Sequence, residues 1–437
     1  MPLGFDTPSI GEVAHGRARD LWPICRSLTG PGVRETLAYL KAILPGLQIH
    51  EVASGTKVFD WTVPREWHMR SGRLTGPDGK IIADFADNNL HVVGYSVGVD
   101  TELSLEDLQG HLYSLPDQPE AIPYITSYYN PHWGFCVPQQ VRDTMQPGTY
   151  RAVIDADHVD GVLNYADLVV PGKTDEEVLI STYVCHPSMA NNELSGPVVA
   201  TAVAEWIAAQ DNHYTYRFVF VPETIGAIAY IHERLEALRA KTVAGYVLTC
   251  IGDDRSYSFM PSREDGTLSD RAGRLALASV APDYEEYSFL TRGSDERQYC
   301  SPGVDLPIAS IMRTKYTVYP EYHTSLDDLT LVTPSGLQGG FEAVAQVLAI
   351  IDNNRVWKIK RPCEPQLGAR GLYPSVSTKN KARQVRTLLN INAYADGTRD
   401  FIDLCQTIEA DPAEVLPLLH KLIDGDVLEE VAGPTVA

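Results

Sequence analysis

The period of the apolar positions changes several times along the chain, and the changes divide it. Between residues 8 and 45 they recur at helical spacing: Ile10, Val13, Ala14, Ala18, Leu21 and Trp22, then Leu37, Leu40, Ile43 and Leu44 after a Thr29-Gly30-Pro31-Gly32 break. Residues 1–50 are therefore read as N-terminal helices of a larger unit. Over 51–150 the texture is short and alternating. Lys57–Val63, Lys80–Phe85 and His91–Val97 are separated by Gly, Pro, Asp and Asn, and Asp78-Gly79 is a hairpin signal. This predicts a small inserted β-rich domain. From 151 to 360, strands alternate with helices. The strand candidates are Tyr150–Ile154, Val162–Val170, Val178–Val184, Tyr216–Val221, Val243–Cys250 and Ile308–Arg313, and a last helix runs from Ser335 to Asn353. Several of these strands are nearly continuous apolar runs, as expected of strands buried on both faces. The expected fold is α/β, a mostly parallel central sheet sandwiched by helices. Beyond a Pro-bearing linker at Arg361–Gln366, three short helices (Val385–Tyr394, Phe401–Glu409, Pro412–Asp424) and a strand at Val427–Val431 suggest a C-terminal winged-helix domain over 368–437.

Polar residues able to do chemistry fall where three of these strands end. The Val178–Val184 run leads into Cys185-His186-Pro187, then a polar turn through Glu193, then Ser195-Gly196-Pro197 at a helix start. The Tyr216–Val221 run ends in Pro222-Glu223-Thr224, and His323 stands in YPEYHTSLDDL after Ile308–Arg313. Open α/β sheets take ligands at the carboxyl ends of their strands. Two imidazoles and a carboxylate there suit a metal-assisted hydrolysis, in which a separate glutamate moves the proton. GSDERQY adds candidates: Asp295 and Glu296 to hold a substrate amine and Arg297 to clamp a carboxylate, against the plainer reading of a salt-bridged surface loop. Glu321 beside His323 is a candidate substrate contact. The aromatic stretch Tyr124–Cys136 reads first as a packed domain junction and second as a wall of the cleft.

Charge and cysteines narrow the class. The formal net charge of the 437 residues is −21, which argues against nucleic acid or an anionic membrane as partner. Residues 381–437 carry 5 Lys/Arg against 10 Asp/Glu, so the winged helix is expected to pack or dock a partner rather than bind DNA. Seven scattered cysteines without a CxxC pair fit reduced thiols. No apolar run reaches the roughly 18 residues of a membrane span, and MPLGFDTPSIGEVAHG lacks a secretory pattern. The expected compartment is the cytoplasm, and a homo-oligomer is left open.

CHPSMANNELSGP, FVPETIGAIAYI, GSDERQYCSPG and YPEYHTSLDDL together resemble the blocks of the zinc-dependent exopeptidases of the M28 aminopeptidase clan. Closest is a bacterial aminopeptidase-like family with an inserted β domain and a C-terminal winged helix. The resemblance covers nearly the whole chain. It implies His186 and His323 as metal ligands and Glu223 as general base. Three acidic ligands of the clan face Asn192, Thr224 and roughly Thr249 instead, which implies one zinc per chain rather than two. Glu193 is the expected carboxylate ligand, with Asp253 in reserve. The implied function is a metal-dependent hydrolase of aminopeptidase type on a small-molecule or short peptide substrate bearing an amine, zinc-bound water attacking with Glu223 as base. Peptides, acylated amino sugars and amino-acid-decorated small molecules all fit. The rivals are a catalytically silent interaction protein using the winged helix, and a one-zinc acyl transferase or cyclase on the same fold.

Overall fold

Both N-terminal helices form where the apolar spacing puts them, at Ile10–Leu21 and Pro31–Ile43. Pro31 opens the second, where its missing N–H has no intrahelical partner to lose. The computed structural model of the protein describes residues 9–372 and 379–432. Residues 1–8, 373–378 and 433–437, which the sequence reading assigned to the N-terminal helices and the winged helix, lie outside the described residues.

The main sheet has eight strands, in the order Gln48–Ala53, Val162–Val170, Thr215–Val221, Glu177–Tyr183, Thr242–Leu248, Ile308–Met312, Ser258–Met260, Glu285–Glu286. The four central strands, from Thr215–Val221 to Ile308–Met312, are mutually parallel. Every residue of Glu177–Tyr183 is buried. Val178 and Ile180 enter one core, while Leu179 enters the other. The continuous apolar run is thus the signature of a strand covered on both sides. One side is covered by the helices Ile10–Leu21, Ser195–Ala208, Leu268–Val280 and Pro334–Asp352. The other is covered by Ile225–Lys241 and the inserted domain.

Two strand expectations change. Tyr150–Ile154 belongs to Thr149–Val159, which pairs with Glu66–Thr75 and Val99–Ser104 in a separate four-stranded sheet. Burial alternates along it, the mark of a sheet packed on one face only, whereas the central strands are buried throughout. Its place at the main sheet's edge is taken by Gln48–Ala53. His91–Val97 forms no strand and is held by single bridges at Val92–Phe135 and Gly94–Thr126. The Asp78-Gly79 hairpin does form between Glu66–Thr75 and Ile81–Asp84, with Gly79 left-handed at φ 79°.

Val356–Ile359, read from sequence as the end of the catalytic unit, is the middle strand of a three-stranded sheet with Asp396–Asp400 and Leu428–Val431. That sheet and the helices Lys379–Tyr394, Phe401–Thr407 and Pro412–Asp424 make the winged helix. Its core runs on into that of the α/β unit. Arg271 reaches Asp400 and Asp403 at 2.7 Å each, and Ser279 donates to Asp411 at 2.5 Å. Among the described residues no helix is long and apolar enough to cross a membrane.

Candidate active site

His186 leaves the end of the Glu177–Tyr183 strand and is fixed at three points. Its carbonyl accepts from Arg26 Nε at 3.0 Å. Its Nδ1 meets Glu193 Oε2 at 2.8 Å, and its Nε2 lies 3.6 Å from Glu223 Oε2. Burial is the largest single influence and works against the imidazolium, but the Glu193 hydrogen bond together with the charges of Glu193 and Glu223 outweighs it and pulls the His186 pKa up. Glu193 sits in Ala190–Leu194, a single π-turn opening the helix Ser195–Ala208; such turns concentrate at functional sites. Asp327 clamps that turn, accepting from Asn191 N at 2.6 Å, Asn192 N at 2.9 Å and the Tyr319 hydroxyl at 2.9 Å. Burial lifts the Asp327 carboxyl to about 6.

His323 is left-handed at φ 58°, and its carbonyl accepts from Tyr124 N at 2.9 Å. Its ring stacks on Tyr322 at 3.9 Å and stands 5.7 Å from the His186 ring, centroid to centroid. Tyr124 packs its edge against both imidazoles, so the aromatic stretch is a wall of the site as well as a domain junction. Burial, then the neighbouring His186, lowers the His323 pKa to about 3. Its Nε2 is buried without a hydrogen-bond partner. A neutral imidazole with an unused nitrogen is the state that binds a metal ion.

Glu223 ends the Thr215–Val221 strand on a strained turn, with Thr224 at φ 65°. Asp295 accepts from Thr224 N at 2.7 Å, and Arg297 Nη2 donates to Thr224 Oγ1 at 2.5 Å. Asp295 and Arg297 therefore set the turn that aims Glu223. Burial raises the Glu223 pKa, opposed by His186 and Arg297. Asp295 is pushed well up by burial and then by Glu223. A carboxyl with a raised pKa, beside a second one, is suited to moving a proton near neutrality.

The remaining candidates are engaged elsewhere. Glu296 Oε1 accepts from Gly293 N, Ser294 N and the Tyr316 hydroxyl, stapling its own loop. Glu321 forms a two-pronged pair with Arg255 at 2.9 and 2.7 Å. Asp253 accepts from Asn191 Nδ2, Arg255 N and Thr314 N and Oγ1, leaving no free lone pair aimed at the site. The residues standing where the clan has acidic ligands are neutral. Two of them, Asn192 and Thr249, share the Tyr183 hydroxyl at 2.7 and 2.5 Å.

Glu193 is on the wrong side of His186 for the ligand trio expected from sequence. The two imidazole nitrogens point in diverging directions, so a carboxylate bonded to Nδ1 cannot also ligate an ion held by Nε2. The donor atoms of Cys185, His186 and Glu193 do lie within 4.8 Å of one another. But Cys185 Sγ already accepts from Glu223 N at 3.2 Å, and burial pushes its thiol far from the thiolate a metal would need. The Nε2 side, with the orphaned His323 nitrogen, is the better fit. Asn192 Oδ1, buried and also without a partner, is a further free acceptor. A cavity of about 270 Å³ opens on this side, walled by Trp61, Tyr128, Tyr129, His186, Glu223 and Arg297.

Arg26 was not legible as a site residue: it lies in an unremarkable ICRSL stretch, 160 residues before His186. Trp61 and the tyrosines reach the site only because the inserted domain folds back over the sheet.

The chain is 40% identical over 364 residues to a Clostridium acetobutylicum protein provisionally described as a polysaccharide biosynthesis protein with an aminopeptidase-like domain, with 83% of each covered. A crystal structure of a Clostridium acetobutylicum protein, provisionally described as a peptidase, superposes at TM-score 0.91 with 35% identity, covering 97% of both chains. BSAP, a zinc aminopeptidase of Bacillus subtilis, shares the fold at TM-score 0.59 and 12% identity, over 80% of this chain and 95% of that one. A winged helix-turn-helix profile matches residues 355–430, so the family boundary falls just before the Val356–Ile359 strand. Residues 15–354 match the profile described as "Domain of unknown function (DUF4910)", and the chain belongs to that family, an M28-type aminopeptidase fold carrying a C-terminal winged helix.

Proposed function

We propose that the protein is a metal-dependent amide hydrolase of aminopeptidase type acting on a small amine-bearing substrate. The observation that carries this reading is the meeting of a buried imidazole, His186, with the half-buried His323, whose Nε2 is buried and unpartnered, beside a half-buried glutamate 3.6 Å from His186 Nε2. His186 and His323 would hold one zinc ion through Nε2, and Glu193 would act on it from behind, by fixing the tautomer and orientation of His186. When bound, zinc supplies a Lewis acid and lowers the pKa of water. Glu223 takes the proton from the attacking water on its carboxylate and returns it to the leaving amine. Asp295 keeps the Glu223 turn in place. Arg297, exposed at the cavity mouth, is the candidate clamp for a substrate carboxylate.

Elemental analysis of purified protein should find about one zinc per chain, since among the described residues the two imidazoles, 5.7 Å apart, make one set of neighbouring donors. Two per chain would mean that the Asn192 or Thr224 region supplies ligands after all. None, under conditions that spare the site, would favour an interaction protein without chemistry. The neutral residues at Asn192, Thr224 and Thr249 are equally compatible with a one-zinc transferase or cyclase. Product mass separates these from hydrolysis, because only hydrolysis adds water.

We assign the winged helix to packing or partner docking rather than to DNA. Its Pro412–Asp424 helix exposes Pro417, His420, Lys421 and Asp424, one strong base against one acid. Anisotropy titration with duplex DNA at physiological salt should show no appreciable binding. Salt-sensitive binding at micromolar protein would overturn the assignment. We place the chain in the cytoplasm on its seven free cysteines, five of them buried.

A further inference from the structure

Tyr129 divides two cavities. One side faces His186 and Glu223; the other is a larger space of about 400 Å³, walled by Pro64, Arg65, Tyr95, Tyr129, Asn130 and His158. Nothing in the proposed chemistry uses the second cavity. Tyr95 and Tyr129 wall it, while Trp61 stands in the cavity on the Glu223 side and backs the Tyr129 ring from there. Tyr129 is 49% exposed and Trp61 40%, and their rings meet edge-on at 5.8 Å. Phe59, 51% exposed, sits at the tip of the same tight hairpin as Trp61.

The fold accepts strain to hold these rings. Phe59, Tyr95 and Tyr129 are all left-handed, with φ of 52°, 65° and 67°. That region costs a bulky residue on the order of 1–3 kcal/mol and persists only where surrounding structure enforces it. Phe59-Asp60 forms a two-residue hairpin turn, between Val58 and Trp61, where glycine or asparagine is the favoured choice. Tyr95 is buried against Trp67 and Tyr128, but Phe59 and Tyr129 are large exposed rings in such positions and need a reason beyond packing.

We infer that the second cavity is a subsite for an uncharged, hydroxylated ring, the pyranose of an amino-sugar amide whose amide group reaches Glu223. The inference rests on the hydrolase reading of the neighbouring site. Flat aromatic faces match the C–H face of a pyranose and place little demand on charge. The planar polar groups of Asn130 and His158 border the same space and can meet hydroxyls. Burial lowers the His158 pKa and so favours its neutral form. Arg65 is the cavity's one cation and is already bonded to Asp160 at 3.0 Å, and none of its walls is acidic. A peptide terminus or a charged side chain would find no free counter-charge there.

The test is binding of N-acetylglucosamine to the full-length protein, followed by ligand-observed NMR, with N-acetylphenylalanine amide as the apolar comparison. We expect saturable N-acetylglucosamine binding, weakened about tenfold or more by Trp61→Ala and by Tyr129→Asn, the latter chosen because asparagine tolerates the left-handed backbone. Trp61→Phe should retain it. His323→Ala should still bind the sugar, so a failure of the hydrolase reading would show as missing metal or turnover with sugar affinity intact. Three results would overturn the subsite: no saturable sugar binding to the wild type, binding untouched by both substitutions, or tighter binding of the phenylalanine amide.

Discussion

Glu223→Gln is expected to keep zinc and to lose roughly 10²-fold or more in turnover, the scale of general acid–base catalysis. Glutamine preserves the shape of the side chain and removes only the proton acceptor. His186→Ala and His323→Ala should lose metal and turnover together, because each deletes a neutral imidazole that contributes one donor of the set. Glu193→Gln separates two roles that sequence alone merges. Its carboxylate bonds His186 Nδ1 at 2.8 Å, so the variant should weaken zinc by about 10–100-fold, as for residues that orient a ligand, without abolishing binding at saturating metal. Metal content and rate must be measured on the same samples. If Glu223→Gln emptied the site while Glu193→Gln left affinity untouched, the ligand and base assignments would be wrong.

Most of the architecture was legible because burial writes itself into period. Glu177–Tyr183 and Thr215–Val221 are covered on both faces and read as nearly continuous apolar runs without alternation. Thr149–Val159 lies in the other sheet for the same reason, read in reverse: its alternation reports a single covered face. His186, Glu223 and His323 were legible because each follows a central strand, and the parallel topology brings such ends together. The side of His186 on which Glu193 falls was not. That depends on the π-turn at Ala190–Leu194, held by Asp327 from 136 residues away, and no local pattern encodes a partner so distant. The engagement of Asp253, the reserve ligand, is hidden from sequence for the same reason, since its four hydrogen bonds come from three separate segments.

Arg26→Met is expected to destabilise the fold by about 3–5 kcal/mol, read as a shift in denaturant midpoint at constant slope. Arg26 is fully buried. Its Nη1 donates to Leu21 O at 2.7 Å, at the end of the first helix, and its Nε donates to the His186 carbonyl. It is also the counter-charge of Glu193, whose Oε1 lies 3.5 Å from Nε and has no hydrogen-bond partner of its own. Methionine fills a similar volume but leaves Glu193 as a buried carboxylate facing only His186. Two buried groups losing their common partner is the situation in which breaking an ion pair costs far more than the intact pair contributes. The double variant Arg26→Met/Glu193→Gln removes both charges and should recover part of the loss, giving a coupling of about 1–3 kcal/mol between the two positions. Additivity within roughly 0.5 kcal/mol would mean that Arg26 stabilises only through its backbone bonds. Zinc affinity discriminates further. If Arg26 restrains Glu193 from taking full hold of the His186 proton, the single variant should bind zinc more weakly than the double variant corrected for its lost carboxylate. Equal affinities would confine Arg26 to the fold.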